Sequence, residues 1–538
     1  MDKLPPVLQV PDVPESEKTP LVAALLELIA VFQQRDAMLQ EQVEALKQEI
    51  ARLKGHSAKP KIRPSTLEGK GAKGKKTKGK KDKKKKNKGG GGPSGRGKVD
   101  ETIVVKAEDV PAGSRFKGYA DFTVQDLVIK THTTRYRLEK WQLANGHMLC
   151  AQLPVAVKTG HYGSKLVSFV LYQYYHAQVT EPLILEELHE WGVKISGGQL
   201  HRLITEGHEK FHEEKDEILQ VGLQLSQYIH VDDTTARHQG QNGYCTHIGN
   251  ELFAWFQSTE SKSRENFLQL LRAGHKDYVL NEKAIDYMCS QSLPRAKIEF
   301  LEKHLGHMSH DQQQWKQALR KWGITKKWHI RIVTEGALIG SALEHGLNPE
   351  LVIISDDAGQ FNVLIHALCW IHAERSIAKL IGYNDKQRAA LENARTQIWD
   401  LYQILKAYKQ SPSNKKKLEI EERFDEIFIQ DSCLYTLNVA LKRLHKNKRE
   451  LLLVLEHPSI PLHNNLSEGD IREYVKRRKV SGGTRSNLGR RCRDTFASLK
   501  KTGRKLCVSF WDYLNDRNCG TDRIPQLPAL IAARAQAP

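Results

Sequence analysis

The chain has 538 residues, enough for about three domains, and carries 83 Lys and Arg against 63 Asp and Glu, a net charge of +20. That excess, with a pI near 9.4, points to a polyanionic partner, and nucleic acid fits best. No apolar run approaches a membrane span, no signal-peptide pattern opens the chain, and the eight cysteines show no paired spacing. A membrane protein, a disulfide scaffold and a zinc ribbon are therefore disfavoured, and a reducing cytoplasm is the expected setting.

Residues 1–20 form a Pro-rich, acidic lead. From Val22 the apolar positions Val22, Leu25, Ile29, Phe32, Leu39, Val43, Leu46, Ile50 and Leu53 recur in alternating steps of three and four, with Asp36 at the one position that breaks the series. This predicts a coiled coil up to residue 53 and self-association through it. Residues 54–99 hold 18 Lys and Arg against Glu68 and Asp82 in Gly- and Lys-rich low complexity, a disordered basic linker suited to phosphate backbones. Residues 100–163 alternate apolar and polar positions, as in Thr102–Val105, Leu127–Ile129 and Thr134–Leu138, and predict a small β-rich module with Tyr119, Phe122 and Trp141 for its core.

Residues 164–225 read as helical. Thr180-Glu181-Pro182 starts one helix, and after Gly192-Val193-Lys194-Ile195 a second starts at Ser196 with Gln199 completing a capping box. This is a helix-turn-helix candidate whose second helix would present Gln199, His201 and Arg202 to DNA; a plain helical hairpin is the alternative.

From about residue 226 the pattern changes to strands. Tyr228-Ile-His-Val-Asp232-Asp233 is an apolar strand ending in acid, followed by strands at 243–248 and 252–256 and a helix at 264–272. After an insert at about 275–340, in which Tyr278–Asn281 is a decoy strand ending in an uncharged Asn, a second apolar strand, Leu351–Ile354, runs into Asp356 and Asp357. If the first and fourth strands lie side by side, Asp232 and Asp356 meet across 124 residues. Because side chains alternate faces, only one acid of each pair can enter a common site. Asp232 is preferred with Asp233 as the fallback, and Asp356 over Asp357.

A helical insertion is expected over 385–456, and 457–538 supplies the last part of the same core. There Asn465 starts a helix carrying Glu468, which reads either as a capping box or as a third acid. Arg472, Lys476, Arg477 and Arg478 make that helix basic and suited to DNA phosphates, and Arg472 at i+4 also suits Glu468. Two strand-end aspartates and a helix glutamate suit two Mg²⁺ or Mn²⁺ ions that serve phosphodiester chemistry. Cys369 and His372 form a lone C-x-x-H on a helix, a motif of unknown role with too few ligands for a tetrahedral zinc.

The segments HVDDTTAR (230–237), SDDAGQFN (355–362), HALCWIHAERS (366–376) and HNNLSEGDIREYVKRRK (463–479) resemble those of transposases of the insertion-sequence 66 family, of the DDE class. The resemblance implies an α/β, RNase H-like catalytic domain over 226–384 and 457–538, interrupted by the helical insertion. It implies Asp232, Asp356 and Glu468 as catalytic and metal-binding residues, and Mg²⁺-dependent cleavage and strand transfer on double-stranded DNA, at element ends and target. A cytoplasmic, nucleoid-associated protein of a prokaryote, aided by accessory proteins of the same element, would fit. One departure concerns the cysteine-based zinc finger frequent in the family. Residues 100–160 hold only Cys150, so no zinc is expected there. The competing readings are a non-catalytic DNA-binding protein whose acids are caps and turns, and an RNase H-like nuclease or resolvase with the same metal site.

Overall fold

The computed structural model describes Val22, residues 99–154, Val157 and residues 160–536. The expected coiled coil and basic linker therefore lie outside the described residues, apart from Val22 and Val99. Lys98–Pro538 constitute one compact unit.

The β-rich module expected over 100–163 is reduced, among the described residues, to one antiparallel hairpin of β1 (Lys140–Gln142) and β2 (Met148–Cys150). Tyr119, Phe122 and Trp141, expected in its core, are 69%, 89% and 61% exposed. Two three-residue strands offer no face broad enough to bury them. The alternation over 102–138 yields no strand because no neighbouring strand pairs with it.

After a helix over Ser164–Leu171, two further helices follow the sequence closely. Helix α1 (Glu181–Glu190) starts after Thr180 with Pro182 in its first turn, and α2 (Gly197–Thr205) starts after Ser196. The capping box is made in both directions, Gln199 N–H to Ser196 Oγ (3.3 Å) and Ser196 N–H to Gln199 Oε1 (3.1 Å). Ile184, Leu188, Leu200 and Ile204 are buried between this pair and the main core. Helix α3 (Glu209–Leu225) then leads to the sheet. It lies close beneath it because Gly222 leaves room for the ring of Phe253, which a Cβ would meet at 2.6 Å.

The central sheet has five strands: β3 (Tyr228–Thr235), β4 (Tyr244–Gly249), β5 (Ala254–Thr259), β8 (Val352–Ser355) and β9 (Ile365–Leu368), in the order β5-β4-β3-β8-β9. The pairs β3–β4 and β4–β5 are antiparallel, whereas β3–β8 and β8–β9 are parallel. The molecule is thus of mixed α/β class, with the first and fourth strands of this sheet side by side as expected. Strand β9 was not expected: His366–Leu368 reads as the start of a helix, but it pairs with β8 before α6 begins.

Between β5 and β8 come α4 (Arg264–Leu271), a separate hairpin of β6 (Tyr278–Val279) and β7 (Met308–Ser309), three short helices, and α5 (Lys327–Glu344). The decoy strand is real but short, and Asn281 caps the following helix by accepting the Ala284 N–H at 3.0 Å. Tyr278, Trp315, Val333 and Leu338 bury this insert against the same core as Ile229, Val231 and Ile353, so it is integral to the fold. After β9 come α6 (Trp370–Ala378), then α7 (Asp385–Gln410), α8 (Asn414–Ile429) and α9 (Tyr435–Lys446), which fill the expected helical region. Their core, with Ile398, Leu405, Phe424 and Leu441, joins the sheet through Val352 and Ile354. Helix α10 (Asn465–Ser481) returns to cover the face of β3 and β4 that carries His230, Asp232 and His247, and α11 (Asn487–Lys505) packs against β5.

Candidate active site

The sheet register builds the first half of the site. In the parallel ladder Tyr228 lies opposite Val352 and His230 opposite Ile354. Continued by two residues, the register sets Asp232, inside β3, opposite Asp356, the first residue after β8. Odd positions Ile229, Val231 and Ile353 enter the larger core, which leaves the even positions on the α10 face.

The fallback residues have other partners. Asp233 accepts from Thr246 Oγ1 (2.5 Å) and Gln360 Nε2 (3.0 Å). Asp357 pairs with Arg443 and accepts from Asn447 Nδ2 (3.3 Å), both from the helical region.

Helix α10 supplies the second half, and side chains that bridge it to the sheet fix its position. Asn464 Nδ2 donates to the Val231 carbonyl (2.8 Å), and its Oδ1 meets His230 Nδ1 (2.8 Å). Ser467 Oγ meets His247 Nδ1 (2.7 Å), and Asp470 lies 3.2 Å from His247 Nε2. Burial pushes His230 down to about 3, so it serves as a neutral hydrogen-bonding ring. The capping-box alternative for Glu468 does not hold, because helix α10 has no side-chain cap and Asn464 spends its amide on β3.

Glu468 faces α6 instead. Arg375 Nη1 donates to its Oε1 at 3.1 Å, His372 Nε2 lies 3.5 Å from the same oxygen, and Arg472 is 4.0 Å from the other. The C-x-x-H pair thus acquires two separate places. Cys369 is the residue before α6, and its buried thiol accepts the Asn464 N–H (3.2 Å), while His372 points at Glu468. The pair does not converge as two ligands of one metal.

Electrostatics tie the three acids together. Burial pushes Asp232 up to about 7; the Asp233 backbone N–H opposes this, and the charges of Asp356, Asp233 and Glu468 add to it. Asp232 Oδ1 accepts that N–H at 2.8 Å, and Asp356 Oδ1 accepts from the Ala358 N–H at 3.1 Å. Asp232, Asp356 and Glu468 are therefore electrostatic neighbours.

The expected DNA-facing residues divide. On α10, Arg472, Lys476 and Lys479 follow Glu468 at helical spacing and are exposed. Arg477 is buried, with its guanidinium 3.8 Å from the Tyr174 ring centroid, because it shares a face with Asp470 and Tyr474. Arg478 clamps the end of β3 through Thr234 Oγ1 (3.2 Å) and Thr235 Oγ1 (2.6 Å). On α2, Arg202 is exposed, His201 Nδ1 lies 3.2 Å from Glu181, and the amide oxygen of Gln199 is taken by the capping box and by Tyr162 (3.0 Å).

Sequence reasoning missed Arg375 and the bridges from Asn464, Ser467 and Asp470. Arg375 was findable, one helical turn after His372. The bridges were not, since nothing local announces which polar side chain will cross to a strand more than 200 residues away.

The profile described as Transposase IS66 family matches residues 352–491, a span that includes Asp356, Cys369, His372 and Glu468 but begins after Asp232. "Uncharacterized protein y4jO" of Sinorhizobium fredii (strain NBRC 101917 / NGR234) is 43% identical over 322 residues, covering 59% of this chain and all of that protein. The chain belongs to the IS66 family of transposases.

Proposed function

We propose that this transposase uses Asp232, Asp356 and Glu468 as a DDE triad to cleave the ends of an insertion sequence and join them to target DNA. The observation that carries the proposal is the parallel register of β3 with β8, which sets Asp232 opposite Asp356 under a helix whose first turn presents Glu468. The strand order, three antiparallel strands followed by two parallel ones, supports an RNase H-like reading of residues 226–384 and 457–538, with 385–456 as a helical insertion. The capped pair α1–α2 supports a helix-turn-helix role for 164–225, with Arg202 as an exposed cation on its second helix. Self-association through residues 22–53 and phosphate binding by the linker over 54–99 complete the reading.

The donor set fits hard divalent cations. A carboxylate that holds its proton to about pH 7 because of burial and three neighbouring acids is one whose ionised form needs a cation. Asp232, Asp356 and Glu468 would hold two Mg²⁺ or Mn²⁺ ions. When bound, these supply Lewis-acid activation of the attacking hydroxyl and neutralisation at the leaving oxygen.

The chain's own groups do the rest. Arg375 and His372 fix the Glu468 carboxylate from α6, and Asn464 keeps the helix start seated on β3. Arg472, Lys476 and Lys479 form a cationic stripe that leads away from Glu468 and would track a phosphate backbone. Their charge draws DNA in and sets its orientation without reading sequence.

The test is incubation of the purified protein with Mg²⁺ and duplex DNA bearing the element's own termini. Cleaved ends and joined products are expected from the wild type and not from Asp232→Ala, Asp356→Ala or Glu468→Ala. Joining by all three variants would end the proposal, and cleavage without joining would favour a nuclease or resolvase.

A further inference from the structure

A second group of ligands lies away from the carboxylate site. His275, Asp277 and His345 place one donor atom each within 4.8 Å of one another. Asp277 is buried, immediately before β6, and His345 is the first residue after α5, which ends at Glu344. His345 Nε2 lies 3.0 Å from each oxygen of Asp277, and the exposed ring of His275 stacks on that of His345 with centroids 3.4 Å apart. Ser341, one turn before His345, donates from Oγ to Asp277 Oδ1 at 3.0 Å. Gly340 permits this approach, because a Cβ there would overlap the Val279 carbonyl.

The loop Gly346–Asn348 that follows rests on Gln224 and Leu223 at the end of α3, near the start of β3 and β8. Asp232 lies four residues further along β3 and Asp356 just past the other end of β8, so the two groups share no residue and lie on the order of 13 Å or more apart along the sheet.

We propose that His275, Asp277 and His345 bind a borderline divalent transition-metal ion of the zinc type. Two imidazoles and one carboxylate are a donor set for such an ion and a poor one for Mg²⁺, which prefers oxygen ligands. Ser341 supplies the outer hydrogen bond that orients the carboxylate, as metal sites require. Ligands about 2 Å from a tetrahedral metal stand roughly 3.3 Å apart, close to the 3.0 Å between His345 and Asp277. His275 must swing off its stack, since two parallel rings cannot both aim a lone pair at one ion, and its exposure leaves that rotation open. The fourth position would be water.

The consequence is structural. The three ligands join the entry and the exit of the insert between α4 and β8, so one ion closes a loop of almost 70 residues, where a cross-link restricts the unfolded chain strongly.

The experiment uses the full chain with Co²⁺ as a spectroscopic probe and Zn²⁺ in a thermal-unfolding assay, both in excess Mg²⁺. The wild type and Asp356→Ala should show the visible bands of tetrahedral Co²⁺ and a Zn²⁺-dependent rise in unfolding midpoint of a few degrees. His275→Ala, which removes an exposed ring with no hydrogen bond in the fold, should lose both while keeping its circular dichroism. His345→Gln should lose both, and Ser341→Ala should weaken Zn²⁺ by roughly 10–100-fold. Retention of the Co²⁺ bands and the Zn²⁺ shift by folded His275→Ala would overturn the proposal, as would their absence from the wild type. Their loss in Asp356→Ala but not in His345→Gln would place the ion at the carboxylate site and equally overturn it.

Discussion

Helix α10 carries two sets of acids with opposite electrostatic fates. Glu468 faces α6, where Arg375 and His372 meet it, and its charge adds to that around Asp232, while Asp470 and Glu473, on the turn that follows, face α11. Burial alone would raise Asp470, but the hydrogen bond from His247 and the charges of Lys505 and Lys501 hold it well below the usual carboxylate range. Glu473 is likewise raised by burial and brought down to about 2 by Lys500 and Lys501. Lys505 lies 2.8 Å from Asp470 and Lys501 2.8 Å from Glu473. Asp232, pushed up to about 7 by burial and by the charges of Asp356, Asp233 and Glu468, has no lysine partner among the described residues. A buried carboxylate matched by lysines is a brace. One crowded by carboxylates awaits a cation.

The largest expected effect separates the two sets by activity. Asp232→Ala, Asp356→Ala and Glu468→Ala should each lower strand transfer by roughly 10²–10³-fold or more while keeping the fold, read by gel assay and circular dichroism. Asp470→Ala should do the reverse, costing about 3–5 kcal/mol in denaturant unfolding because it strands buried Lys505 and His247. A folded, stable Asp470→Ala would show that the lysine brace is dispensable and would blunt the distinction.

Asn464→Ala tests the link between sheet and helix. It leaves His230 Nδ1 and the Val231 carbonyl without partners and should cost about 2–3 kcal/mol, with activity falling as Glu468 loses its register.

The pH dependence should also split. Asp232 is raised above its unfolded value, so in metal-free protein its contribution is fully present below about pH 4 and lost as pH rises through about 7. Asp470 and Glu473 are depressed, so theirs is present above about pH 4 and lost as pH falls toward 2. Chemical denaturation of Asp232→Asn at pH 8 without divalent ions should therefore show a gain over wild type of roughly 1–2 kcal/mol, discounted for partial exposure. A loss would contradict the crowding. The smallest effect is that of Arg375→Ala, whose half-exposed pair with Glu468 should cost under about 1 kcal/mol, measured the same way.

Much of the sheet was legible because strands that end in acid carry a local signature. Tyr228–Asp233 and Leu351–Asp356 announced their burial, although β3 runs on to Thr235, and the Ser196–Gln199 box announced a helix start. What stayed hidden depended on tertiary partners. Arg477 reads like its neighbours Lys476 and Arg478, and only the seating of α10 on Tyr174 buries it. His366–Leu368 is too short to declare itself a strand and becomes one through the open edge of β8. The alternating residues of 102–138 met no such edge.

Asp232, buried and crowded by the charges of Asp356, Asp233 and Glu468, is the site's uncompensated acid, and a Mn²⁺ titration of the purified protein across pH 5.5–8 tests its need for a cation most directly. The wild type should bind with an affinity that strengthens by about tenfold per pH unit up to roughly pH 7, as the cation displaces the proton of Asp232, and Asp356→Ala should lose that pH-dependent binding. Equal, pH-independent Mn²⁺ binding by wild type and Asp356→Ala would contradict it.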